Sequence, residues 1–180
     1  NSIQAQNAAL AAYVFRYLFP DTPQAVLSSG LSSAWLPGRF ELVSTEPLIV
    51  LDGAHTVDSI ALTLSTFDSL APEPGELVFA CAADKNVDAI ANEFGSRFSR
   101  ITVTRPGDHK KSDLEHSTAA FKRAIADSEG IQLDANPDFR TVLESAFLRS
   151  RENRKPLLIT GSFYLVAEAK KLLSRSFPDQ

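Results

Sequence analysis

The chain has 180 residues, 44% of them hydrophobic and 22% charged, which suits one sizeable core in an ordinary globular domain. Its net charge of -4 excludes a general nucleic-acid or membrane-surface binder, because both need a strong basic surplus. The lone cysteine, Cys81, excludes a disulfide framework, and no apolar run approaches the ~18 residues of a membrane span. A cytoplasmic protein is the expectation. The chain starts at Asn1 and contains no methionine, which points to a fragment of a longer protein.

In chain order, "SIQAQNAALAAYVFRYLF" places apolar residues at helical spacing and stops at Pro20. A short helix is predicted over "PQAVLSSGL", and "SSAWLPGR" reads as a linker or hinge. A helix before a hinge should be loosely attached and leave apolar surface bare. "FELVSTEPLIVL" holds two strand-like runs broken by "STEP", consistent with a hairpin. Helix and strand then alternate: helix "TVDSIALTLSTFDSL", strand "ELVFACAA", helix "NVDAIANEFGSRF", strand "RITVTR", helix "SDLEHSTAAFKRAIADS", strand "IQLD", helix "PDFRTVLESAFLRSRE", strand "PLLITG" and helix "SFYLVAEAKKLLSRS". Such alternation predicts an α/β fold, a Rossmann-like, mainly parallel sheet with helices on both faces.

Sheets of this kind bind ligands at the carboxyl ends of their strands. The residues expected there are Asp52, Gly53 and His55, then Asp84, Lys85 and Asn86, then Arg105, then Thr160, Gly161 and Ser162. The set suits a polar, anionic small molecule. Thr56, Asp84, Asn86 and Thr160 are equally candidate helix N-caps, whereas His55 is not. "GAHT" and "TGSFY" put glycines at strand-to-helix turns, where backbone N–H groups can approach an anion. Neither a G-x-G-x-x-G fingerprint nor a G-x-x-x-x-G-K-[ST] phosphate loop is present, and the three histidines are scattered, so no metal site is expected.

"LPGRFELVSTEPLIVLDGAHTVDS", with "ADKN" at 83–86 and "ITGSFYLVAEAKKLL" at 159–173, resembles the C-terminal domain of folylpolyglutamate and dihydrofolate synthases. These are ATP-dependent amide ligases of the Mur ligase family. "SIQAQNAALAA" resembles the Gln-x-x-Asn-Ala helix that closes their central ATPase domain. The resemblance implies two parts, with residues 1–34 ending the central domain and 35–180 forming the glutamate-binding domain. It also implies that Asn7 contacts the nucleotide base, Arg39 the ATP phosphates and Asp52 the ribose hydroxyls. His55, Ser162 and Tyr164 would lie where the incoming glutamate binds. Lys85 matches an Asp-Lys pair, either a charge near the glutamate or half of a structural salt bridge. The Thr56 that follows His55, where many relatives carry asparagine, is a mild departure.

In such a ligase, ATP phosphorylates a pteroate or folate carboxylate, and the glutamate amine then attacks the acyl phosphate. The phosphate loop and Mg²⁺ ligands are expected in the absent central domain. The fragment alone should therefore be inactive, and the full-length enzyme is expected to be a monomer. Another Mur-type amide ligase, or a non-catalytic ligand-binding module, are the alternatives.

Overall fold

The structure is a computed structural model that describes residues 2–71 and 73–176. It divides into two compact units, Asn1–Pro37 and Gly38–Gln180. The first holds α1 (Ser2–Leu18) and α2 (Gln24–Ser33). Helix α1 ends just before Pro20, whose ring cannot continue it. Arg16 ties the two helices together, donating to the Thr22 carbonyl (2.7 Å) and to the Gln24 side chain. Leu10, Tyr13, Val14, Tyr17 and Leu18 recur at helical spacing on α1, and all are exposed, Tyr17 to 80%.

The second unit contains β1 (Glu41–Thr45), β2 (Leu48–Leu51), α3 (Val57–Leu70), β3 (Gly75–Phe79) and α4 (Val87–Phe94). It continues through β4 (Phe98–Val103), α5 (Leu114–Ala124), β5 (Gln132–Ala135), α6 (Phe139–Asn153), β6 (Leu157–Thr160) and α7 (Phe163–Ser176). The six strands lie in the order β1-β2-β6-β3-β4-β5. The β1–β2 hairpin is antiparallel, and every other pairing is parallel. The expected mainly parallel α/β sheet is what forms.

Strands β2, β3 and β6 are buried along their whole length, as strands covered on both faces must be. Alternate side chains go to opposite cores. Leu48, Val50, Leu77, Phe79, Ile101 and Leu158 pack with α3, α4 and α5. Ile49, Leu51, Val78, Leu157 and Ile159 pack with α6 and α7. On the first face a chain of rings runs from Phe67 through Phe98 and Phe94 to Phe79 and Phe121, with centroids 5.0–6.0 Å apart. Each such ring removes enough apolar area from water to contribute about 1.5–3 kcal/mol.

Several elements are shorter than the sequence predicts, among them α5, which ends at Ala124, and two others with a visible cause. The helix expected to run to Phe98 stops at Phe94, because Gly95 takes a φ of 53° and Phe98 enters β4 to stack on Phe67. The strand expected over "ELVFACAA" ends at Phe79. Beyond it Ala80, Cys81 and Ala82 stay buried, but only Ala80 keeps a bond to the neighbouring strand, donating to the Thr160 carbonyl at 3.3 Å.

The chain moves outward from β2 to β3, β4 and β5, then returns to place β6 between β2 and β3. The order therefore reverses beside β6, and in open α/β sheets a ligand crevice forms at such a reversal.

Candidate functional site at the strand reversal

Asp52 extends β2 by one bond, its N–H donating to the Ile159 carbonyl at 3.0 Å. The side chain is only 7% exposed. Its Oδ1 accepts the Ala54 N–H at 2.6 Å and its Oδ2 the Phe40 N–H at 2.7 Å. Burial pushes the carboxyl above its ordinary range, while the two backbone N–H groups, the Thr63 side chain and the charge of Arg39 pull the other way. Gly53 adds a backbone bond from its N–H to the Gly38 carbonyl, 2.7 Å. Asp52 and Gly53 thus hold the "PGRF" turn from below.

That turn is strained. Phe40 has a φ of 47°, a left-handed conformation that disfavours a bulky side chain by about 1–2 kcal/mol. Its ring packs against the first core, and its N–H is taken up by Asp52, so the conformation is fixed from both sides. Glu41 adds a third hold: Oε2 accepts the Gly38 N–H at 2.7 Å, while Oε1 accepts Lys170 Nζ at 2.6 Å. Arg39, between these anchored neighbours, is left exposed.

His55 follows the same strand. Its Nδ1 lies 2.8 Å from the Gly53 carbonyl. A carbonyl only accepts, so Nδ1 carries the hydrogen and Nε2 is the acceptor of the neutral ring. The next residue, Thr56, caps α3 through a capping box with Ser59.

From β6 the chain turns at Gly161, whose φ is 100°. A Cβ there would collide with the Ala80 carbonyl and the Phe79 ring, so only glycine fits. Ser162 is buried, and its Oγ accepts the Tyr164 N–H at 3.2 Å, as an N-cap does. The hydroxyl still has a proton to donate. Tyr164 is 54% exposed.

Phe163 joins these segments. The Arg39 guanidinium carbon lies 4.5 Å from its ring centroid, and the His55 ring meets it edge-on at 6.1 Å. A Cβ on Gly53 would fall 2.6 Å from the Phe163 ring tip, so the ring rests against bare backbone. Sequence reasoning singles out Ser162 and Tyr164 and passes over Phe163, Glu41 and Lys170. An aromatic at the start of an amphipathic helix reads as core, and the Glu41–Lys170 pair spans too much chain for any local pattern.

The structure therefore gathers Arg39, Asp52 and His55 with the start of α7. Lys85, one strand away beyond β3, pairs with Asp84 at 3.3 Å, which holds the exposed Asp84 carboxyl below its ordinary range. Asn86 caps α4. Thr160 donates to the Ala54 carbonyl at 3.5 Å instead of capping a helix. Arg105 turns away, its Nε donating to the Pro137 carbonyl at 2.8 Å. Asn7 is exposed on α1 of the other unit. A groove of about 600 Å³ between β1 and α7 is lined by none of the site residues that the sequence analysis names. Among the described residues, no group of three or more His, Cys, Asp or Glu side chains is placed to hold a metal ion, and no helix is long and apolar enough to cross a membrane.

An open α/β domain with an arginine-bearing turn, a buried aspartate and a histidine at its strand reversal belongs to the class whose ligand crevices form at such a reversal. The particular family follows from comparison. Residues 38–163 match the model for "Mur ligase, glutamate ligase domain", and the chain belongs to that family. It is 30% identical over 173 residues to a probable bifunctional folylpolyglutamate synthase/dihydropteroate synthase of Haloferax volcanii, covering 96% of this chain and 20% of that protein. It is 29% identical to the folylpolyglutamate synthase of Lacticaseibacillus casei, covering 94% and 38%. The structure of Mycobacterium tuberculosis folylpolyglutamate synthase complexed with ADP and AMPPCP superimposes with a TM-score of 0.82 at 21% identity, covering 95% of this chain and 40% of that one. The chain thus spans a fifth to two fifths of these relatives.

Proposed function

We propose that this chain is the glutamate-binding part of an ATP-dependent ligase that joins L-glutamate to dihydropteroate, to folates, or to both. The carrying observation is that the turn bearing Arg39, the strand end bearing Asp52 and His55, and the start of α7 converge within the span that matches the ligase domain. ATP would phosphorylate the acceptor carboxylate, giving ADP and an acyl phosphate. The glutamate amine would then attack the acyl carbon, forming the amide, releasing phosphate and losing a proton.

Arg39 would meet the phosphate oxygens, for which its planar donor fork is well shaped. Nε2 of His55 offers a base, oriented by the Gly53 carbonyl, beside the glutamate amine. Ser162 and Tyr164 would hold glutamate carboxylates at the start of α7, where helix N–H groups favour an anion. Lys85, shared with Asp84, would add positive charge farther along the rim. Asp52 would reach ribose hydroxyls only through the lone pairs left after its bonds with the Ala54 and Phe40 N–H groups and the Thr63 side chain. Asn7 would contact the base, and residues 1–34 would end the central ATPase domain of the same protein. Ligands for Mg²⁺ are proposed to lie in that central domain, with the enzyme cytoplasmic and monomeric.

The test is ATP consumption by the full-length protein with dihydropteroate or folate as acceptor. Phosphate release that depends on glutamate, together with a glutamyl product, is expected. Phosphate release indifferent to glutamate with either acceptor would overturn the reading.

A further inference from the structure

We infer that Phe163 is a positioning residue for Arg39, an aromatic seat that fixes the guanidinium in the direction the phosphates need. The inference rests on the reading of Arg39 as the phosphate-side cation. Its physical basis is the way α7 grips the "PGRF" turn. Phe163, Val166 and Lys170 stand at i, i+3 and i+7, on one face of the helix. Lys170 holds Glu41, which in turn holds the Gly38 N–H. Val166 closes on Gly38, where an added Cβ would come within 2.8 Å of its Cγ1. Both hold the backbone of the turn. Phe163 acts differently, because its ring meets the Arg39 side chain itself, 4.5 Å below the guanidinium carbon.

Stacking on the ring narrows the directions open to an exposed arginine with four side-chain torsions. A flat cation on an aromatic face retains its in-plane N–H donors for an anion, so stacking orients the group without using up its hydrogen bonds. The seat is itself fixed. The ring cannot drop, because Gly53 backbone lies against it, and the His55 ring stands across it with centroids 6.1 Å apart. Gly53 therefore has a specific reason to be glycine: any side chain there would displace the ring that carries Arg39.

Phe163→Leu removes the aromatic face and keeps most of the apolar bulk. Losing the stacking alone lowers the seated population about 2- to 5-fold, and the freed rotamers add to it. In the full-length ligase, kcat is expected to fall on the order of 3- to 10-fold, with KM for ATP and for glutamate within about twofold of wild type. Phe163→Tyr keeps the face and should restore most of kcat, a rescue that general weakening of the fold would not give. The decisive readout is a double-mutant cycle: in an Arg39→Ala background, Phe163→Leu should lower kcat no further. Full additivity of the two losses, or a Tyr variant as slow as the Leu variant, would overturn the inference while leaving the phosphate role of Arg39 intact. If Arg39→Ala leaves kcat unchanged, the phosphate reading fails and this inference fails with it.

Discussion

Asp52→Asn separates the structural duty of this residue from any contact with a ligand. The amide has nearly the same shape, but only one of its two heavy atoms accepts. Asp52 now accepts two backbone N–H groups, from Ala54 at 2.6 Å and Phe40 at 2.7 Å. In the variant one of them must face an NH₂ donor. Leaving a buried donor unmatched costs about 1–3 kcal/mol. The opposing effect is relief of the buried charge, since burial raises the carboxyl above its ordinary range. The lost bond should win, because the Phe40 N–H it serves belongs to a residue at a φ of 47°, and a net loss of about 1–2 kcal/mol is expected.

The pH dependence has a defined sign. A carboxyl whose folded pKa is raised contributes stability that is fully present below its unfolded value of 3.8 and is lost as pH rises through the folded value. Asparagine has no such titration, so the deficit of the variant should be larger near pH 3.5 than at neutral pH. The assay is urea unfolding of the ligand-free 180-residue chain, followed by far-ultraviolet circular dichroism at both pH values. Equal stability of variant and wild type at both would refute the structural role of the carboxylate.

Phe94→Ala should destabilise the chain by about 3–5 kcal/mol, since Phe94 touches Phe79, Phe98 and Phe121 and its loss leaves a cavity; urea unfolding would measure this. Gly53→Ala should lower stability by about 1–3 kcal/mol through overpacking against Phe163, and Gly53→Ala with Phe163→Leu should recover part of it, measured as thermal midpoints. The 180-residue chain by itself should release no phosphate from ATP in the presence of glutamate and folate, because its sequence has no phosphate loop; turnover at the rate of the full-length protein would contradict this.

The architecture was legible because its signals are local. Apolar runs such as "PLIVL" and "PLLIT" fit only doubly covered strands, and amphipathic segments between them fix the helices. Caps at Thr56 and Asn86 were legible for the same reason. Phe98 was misplaced because its fate is decided by Phe67, which lies in another helix. At the site, Asp52 and His55 stand out as polar residues just past a buried strand, whereas Arg39 enters only through the family resemblance. What holds them does not stand out. The Asp52 carboxylate bonded to the Phe40 N–H, the Glu41–Lys170 pair and the Phe163 seat all join residues distant in the chain. Composition and period carry no information on such pairs, and each side chain alone has an ordinary explanation.

The central claim is that one rim carries two half-sites, Arg39 on the phosphate side and Ser162 with Tyr164 on the glutamate side. Parallel titrations of ATP and glutamate on Arg39→Ala, Ser162→Ala and Tyr164→Ala in the full-length protein test it most directly. Loss of one charge-assisted bond, about 1–3 kcal/mol, should raise the glutamate KM of the Ser162 and Tyr164 variants roughly 5- to 150-fold with little change for ATP. Arg39→Ala should lower kcat instead, because its phosphate contact forms on the way to the transition state. A Ser162→Ala variant that weakens ATP and leaves glutamate untouched would contradict the assignment.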